Sequence, residues 1–124
     1  MRLNPDCIRD VLLNIENVVT PSKQYMFPDD RDENLTHYTS EEIIYHMDQC
    51  FQSGLILGFK RYIHGSGASV QDLTPNGHEF LADIRSNTVW EKTKSKASSL
   101  GVTSLRALKD IAVQVIAELI KGSF

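Results

Sequence analysis

Gly54-Leu55-Ile56-Leu57-Gly58-Phe59-Lys60-Arg61-Tyr62-Ile63, then His64-Gly65-Ser66-Gly67-Ala68, then Ser69-Val70-Gln71-Asp72-Leu73, is the stretch on which the fold turns. Leu55 to Ile63 is dense in branched and aromatic residues, the composition of a strand. The Gly-rich segment at 64–68 supplies a turn, and Ser69 to Leu73 returns as the partner strand, so the stretch reads as a β-hairpin. A hairpin with a glycine-rich tip does not fit a purely helical bundle. Thr74-Pro75 then opens a helix, with Thr as cap and Pro at the first helical position, and Phe80, Leu81 and Ile84 turn inward.

Upstream of the hairpin, Thr39 or Ser40 caps a helix whose first turn carries Glu41 and Glu42. Ile43, Met47, Cys50 and Phe51 are expected to form its buried face, with Ile44 at the margin and Gly54 as the stop. Farther back, Asn4-Pro5 starts a helix with the apolar stripe Ile8, Val11, Leu12, Ile15, Val18 and Val19, ended by Thr20-Pro21. Lys23 to Phe27 suits a short strand, and Pro28 to Asn34 a solvated acidic loop. Downstream, Asn87 is expected to cap a helix with Val89, Trp90, Thr93, Ala97 and Leu100 on one side. After Gly101, Thr103 or Ser104 caps a long helix from Leu105 to Lys121. The order helix, strand, helix, hairpin, helix predicts an α+β, mostly α fold. We read residues 1–86 as a winged-helix-like domain with the hairpin as its wing, and residues 87–124 as a C-terminal helical extension packed on that domain or on a second copy.

The 124 residues fit one domain, and the net charge of −3 is unevenly spread. Residues 1–50 hold four Lys/Arg against ten Asp/Glu, and residues 51–124 hold nine against six. No apolar run is long enough for a membrane span, and the N-terminus has no apolar signal core. A cytoplasmic protein that does not bind membranes is therefore expected. Cys7 and Cys50 fall in the apolar stripes of two helices and are expected to be buried free thiols.

Three segments together carry a resemblance: Asn4-Pro5-Asp6-Cys7-Ile8-Arg9-Asp10, the stretch from Tyr45-His46 to Gly54-Leu55-Ile56, and Leu73-Thr74-Pro75-Asn76-Gly77-His78-Glu79-Phe80-Leu81. They resemble an uncharacterised protein family found in bacteria and in their phages and prophages. The Leu-Thr-Pro-x-Gly-His-Glu-Phe-Leu run is its most specific part, and the similarity extends through Val89-Trp90 to the last helix. The resemblance implies a winged-helix-like N-terminal region and frequent mobile-element origin. It implies no activity and carries over no functional residues. A Leu-Thr-x-x-Gly run after a wing is also similar to small transcriptional regulators.

The helix before the hairpin exposes Glu41, Glu42 and Asp48 and no Lys or Arg. Acids facing phosphate oppose the counterion release on which DNA affinity rests, so DNA is disfavoured at this helix. Tyr45, His46, Gln49 and Gln52 remain as candidate contacts on it. Lys60, Arg61 and Tyr62, with His64 at the turn, form a basic-aromatic cluster on the hairpin. These eight residues are the candidate binding set. The leading expectation is a non-enzymatic regulatory module acting on a protein partner, a host protein or a second copy. The alternative is a winged-helix DNA-binding regulator.

Catalytic and metal motifs do not emerge. Asp30, Asp32, Asn34 and Glu41 echo a calcium-loop spacing, but Leu35 stands where such a loop needs glycine. The four histidines lack metal-ligand spacing, and no phosphate-binding glycine loop occurs. No metal and no cofactor are expected. His46 and Cys50 could pair as base and nucleophile only if Cys50 pointed outward. His78 is expected to follow a turn at Gly77. The long C-terminal helix has a stripe covering about half its circumference (Leu105, Leu108, Ile111, Ala112, Val115, Ile116, Leu119 and Ile120), wide enough to serve the domain or a homodimer.

Overall fold

The computed structural model describes residues 1–62, 67–102 and 104–122. His64, the hairpin tip around it and the cap candidate Thr103 lie outside the described residues. The chain runs α1 (Pro5–Val18), β1 (Tyr25–Phe27), a 3₁₀ turn (Glu33–Leu35), α2 (Ser40–Gln52), β2 (Ile56–Leu57), β3 (Lys60–Arg61), β4 (Ala68–Val70), β5 (Asp72–Leu73), α3 (Pro75–Ile84), α4 (Asn87–Leu100) and α5 (Leu105–Gly122). The fold is α+β and mostly α, as the patterning predicts.

Asn4 caps α1 by accepting the Asp6 N–H, and Pro5 begins the helix. Cys7, Ile8, Val11, Leu12 and Ile15 are buried along its inner side. Asn14 is buried as well, and it organises the acidic loop. Its side-chain oxygen accepts the Tyr25 hydroxyl at 2.6 Å and the Asp32 N–H at 3.3 Å, while its amide donates to the Asp30 carbonyl. The loop is therefore not simply solvated. Asp32 caps the 3₁₀ turn by accepting the Asn34 N–H, and Leu35 drops into the core.

The two halves of the hairpin pair antiparallel in one register. Ile56 and Leu57 face Leu73 and Asp72, and farther out Lys60 and Arg61 face Ser69 and Ala68. Between the pairs the backbone of Gly58 turns to φ +69°, and a Cβ there would lie 2.5 Å from that of Gln71. Only glycine suits both conditions. β1 joins the free edge of β4, giving a three-stranded sheet of order β1-β4-β3.

Thr74 joins the hairpin to α3. Its N–H donates to the Leu55 carbonyl, its hydroxyl donates to the Gly54 carbonyl, and its side-chain oxygen accepts the Gly77 N–H. Gly77 lies inside the first turn of α3 rather than in a separate turn, and His78 beside it is exposed. The reason for glycine is proximity: a Cβ at 77 would stand 2.0 Å from the Leu55 carbonyl oxygen.

The C-terminal helices share one continuous core with the rest of the chain, which includes Trp90, Ala97, Leu105, Leu108, Ile111, Ala112 and Val115. The cap of α4 is Ser86, which accepts the Val89 N–H. Asn87, expected in that role, instead accepts a bond from Arg9. Arg9 also donates to the carbonyls of Ile84 and Arg85, supplying a cation at the end of α3. Trp90 donates its indole N–H to Asp6 at 2.9 Å, and Lys94 reaches the same carboxylate at 2.8 Å. Ser104 accepts the Ala107 N–H at the start of α5.

Three apolar residues depart from the expected stripes, one of them Ile120, 53% exposed near the end of α5. Phe51 is 43% exposed, because it lies about 100° round α2 from fully buried Cys50 and so turns away from the core, where its ring sits 5.9 Å from that of Phe59. Leu100 is 67% exposed at the end of α4. There Gly101 takes a left-handed conformation and the following residue, Val102, folds back onto the core instead.

A Gly77→Ala substitution should lower the unfolding free energy by about 1–3 kcal/mol, the usual cost of overpacking. Urea unfolding followed by tryptophan fluorescence would measure it, and a variant with an unchanged midpoint would contradict the close approach to Leu55.

Candidate functional site

The candidate site lies between α2 and the hairpin. Glu41, Ile44, Tyr45 and Asp48 recur at helical spacing, so they share one face of α2, and that face looks across a cleft of about 390 Å³ at Arg61, Tyr62 and Gly67. Exposed Tyr62 packs close against Gly67, where a Cβ would lie 2.9 Å from its ring. The helix wall carries two carboxylates and a phenol. The opposite wall carries a guanidinium and a second phenol. Glu41 and Arg61 form no ion pair among the described residues, so both charges stand ready for an external group.

The structure brings together three of the eight candidate residues, Tyr45, Arg61 and Tyr62. Lys60 is exposed on β3, but strand alternation sends it to the face opposite Arg61. Gln52 is exposed and donates to Asp48 at 2.8 Å, while Gln49 is half-buried; neither lines the cleft. His64 lies outside the described residues. From sequence Glu41 and Asp48 stand out only as groups that repel phosphate, and Ile44 only as the margin of a buried face. The spacing 41, 44, 45, 48 was the available signal.

His46 is a correction: it is a core residue rather than a surface contact. The ring is 1% exposed. Its Nδ1 bonds the Glu42 carbonyl at 2.6 Å and its Nε2 accepts the Asn4 N–H at 2.8 Å. Both bonds together require the neutral Nδ1–H tautomer. Burial accordingly holds its pKa below the ordinary 6.5, against the opposing pull of the Glu42 carbonyl.

Cys50 is fully buried, and burial pushes its thiol well above the ordinary range. Burial likewise pushes Cys7 up to about 12. With no exposed thiol and with both histidine nitrogens engaged, Cys50 and His46 do not form a nucleophile and base. Two of the three calcium-like acids are occupied within the chain: Asp30 accepts the Met26 N–H and pairs with Lys23 at 3.0 Å, and Asp32 caps its own turn; the third, Glu41, lies on the cleft wall. Among the described residues no group of three or more His, Cys, Asp or Glu is placed to hold a metal ion. Among them, too, no helix is long and apolar enough to cross a membrane.

A small, mostly helical α+β domain carrying an acidic-aromatic cleft beside a hairpin is thus the class that fold and site define. The chain belongs to the family described as "Hypothetical protein (DUF2513)", whose model matches residues 2–103 and so spans α1 to α4 with the whole cleft. It is also 32% identical over 123 residues to an uncharacterized protein of Haemophilus influenzae, a match that covers 97% of this chain and 99% of that protein. No solved structure matches the chain.

The buried histidine predicts a pH dependence with a definite sign. In the unfolded chain His46 takes up a proton as the pH falls through about 6.5, while the folded chain resists it. Its stabilising contribution is complete above that value and declines below it. Urea midpoints measured between neutral pH and the carboxylate range should fall for the natural protein and flatten for His46→Gln. Identical slopes in the two proteins would contradict the assignment.

Proposed function

We propose that this protein is a non-enzymatic recognition module of bacterial or phage origin that regulates a partner protein by holding one of its segments in the α2–hairpin cleft. The observation that carries the reading is the cleft itself, in which Tyr45 and Tyr62 offer aromatic surface between Glu41 and Asp48 on one wall and Arg61 on the other. Tyrosine and arginine are the residue types that dominate binding energy at protein interfaces. The two carboxylates favour a partner segment carrying Lys or Arg, and Arg61 selects its register through an acidic or carbonyl group.

We read the architecture as winged-helix-like. The hairpin follows α2 directly, and β1 closes the sheet in the order β1-β4-β3, which supports that reading. In a DNA-binding winged helix the helix before the wing would lie against the duplex. Here its cleft-facing side presents Glu41 and Asp48, which repel phosphate, and the sign of that face supports a polypeptide partner over DNA.

A photo-crosslinking amino acid at position 62 in the full-length protein tests this in the native cell. A discrete protein adduct is expected, and the double substitution Glu41→Lys with Asp48→Lys should abolish it. Once the partner is purified, Tyr45→Ala should weaken binding by about thirtyfold, the scale of a hot-spot residue. Duplex DNA titrated in fluorescence anisotropy should show no salt-dependent binding by the natural chain. Tight duplex binding that Tyr45→Ala destroys would overturn the reading in favour of a DNA-binding regulator.

A further inference from the structure

Besides the residues it buries, α5 carries a second, outer apolar strip made mostly of residues outside the expected stripe. Leu105, Leu108, Ile111, Ala112 and Val115 are buried against the domain. On the opposite side Val113 and Ile120 are 57% and 53% exposed, with exposed Ala117 between them. Asp110, Val113, Ala117 and Ile120 alternate at intervals of three and four residues, the spacing of a coiled-coil seam. Asp110 and Lys121 mark its two ends. Eleven residues apart, they are separated by three turns plus about 20°, so they lie on the same side of the seam. Neither forms an ion pair among the described residues, and Glu118, the nearby acid, is taken by Lys96 at 2.6 Å.

We propose that a second copy of this chain packs antiparallel along this seam of α5. With a two-fold axis near residue 115, Val113 of each copy faces Ala117 of the other, and the small alanine allows the helices to approach closely. The same axis brings Asp110 of each copy beside Lys121 of the other, so one contact is made twice, as an isologous interface requires. A parallel pairing would set Asp110 against Asp110 and Lys121 against Lys121. The charge order therefore selects both the occupant and its direction. This interface is independent of the cleft reading: α5 lies beyond the residues matched by the family model and shares no residue with the cleft.

Sedimentation equilibrium of the full chain across the micromolar range provides the test. A reversible dimer is expected. Val113→Glu and Ile120→Glu should each leave a monomer with unchanged far-UV circular dichroism, since both side chains are exposed. Asp110→Lys or Lys121→Asp alone should raise the dissociation constant by about tenfold, and the double exchange should restore it. Tyr45→Ala should remain dimeric, which separates this interface from the cleft. A monomer at every concentration, a dimer indifferent to Val113→Glu and Ile120→Glu, or a double exchange that fails to restore association would each overturn the proposal.

Discussion

The Leu55 carbonyl oxygen accepts the Thr74 N–H while the backbone of Gly77 passes so close that a methyl group could not fit between them. The end of α2, the base of the hairpin and the start of α3 are locked together at this point. The Thr74 hydroxyl extends the lock to Gly54, immediately after α2. Because hairpin and helix leave this junction as one body, the residues at its far end, Arg61 and Tyr62, stand at a set distance from Glu41, Tyr45 and Asp48. The cleft exists because its two walls share a rigid root.

A second set of contacts explains why the last helices are part of the domain. Asp6 receives both the Trp90 indole and the Lys94 ammonium, and Arg9 caps the end of α3 while its guanidinium lies 5.9 Å from the Trp90 ring centroid. The first two turns of α1 thus hold α4 through hydrogen bonds, an ion pair and a cation–π contact. His46 does the corresponding work between α1 and α2, tying the Asn4 N–H to the Glu42 carbonyl. Each of these ties uses polar chemistry at a place where two helices meet, with the apolar core behind it. Among the described residues the outer seam of α5 makes no ion pair with the domain, although Asp110 and Val113 border a shallow pocket beside α3.

The cleft derives its character from geometry more than from net charge. Arg61 lines it and Lys60 does not, because successive strand residues face opposite ways. In the proposed function the acids of α2 that repel phosphate are the groups that meet a basic segment of the partner, since they share the cleft with Tyr62. In the same way, the negative first half and positive second half of the chain meet in surface ion pairs such as Asp6–Lys94 and Glu16–Arg85.

Local rules of the chain were enough to determine the helices, the hairpin and most caps. Asn4-Pro5, Thr39 and Thr74-Pro75 act through bonds that span three or four residues, and the periodicity of α1 or α5 needs no distant partner to be visible. The Leu-Thr-Pro-x-Gly run was legible as a motif, but its cause was not, since the Leu55 carbonyl that demands Gly77 is brought there by pairing of β2 with β5. The fates of His46, Phe51 and Leu100 were likewise beyond periodicity. His46 is buried because Asn4 arrives from another helix, and Phe51 and Leu100 are exposed because the core covers only the side of the last turn that holds Cys50 in α2 and Ala97 in α4. The sequence alone could name Tyr45, Arg61 and Tyr62 as candidates, but only the tertiary structure could unite them with Glu41 and Asp48. A helix face and a strand face become one site through packing that no local pattern encodes.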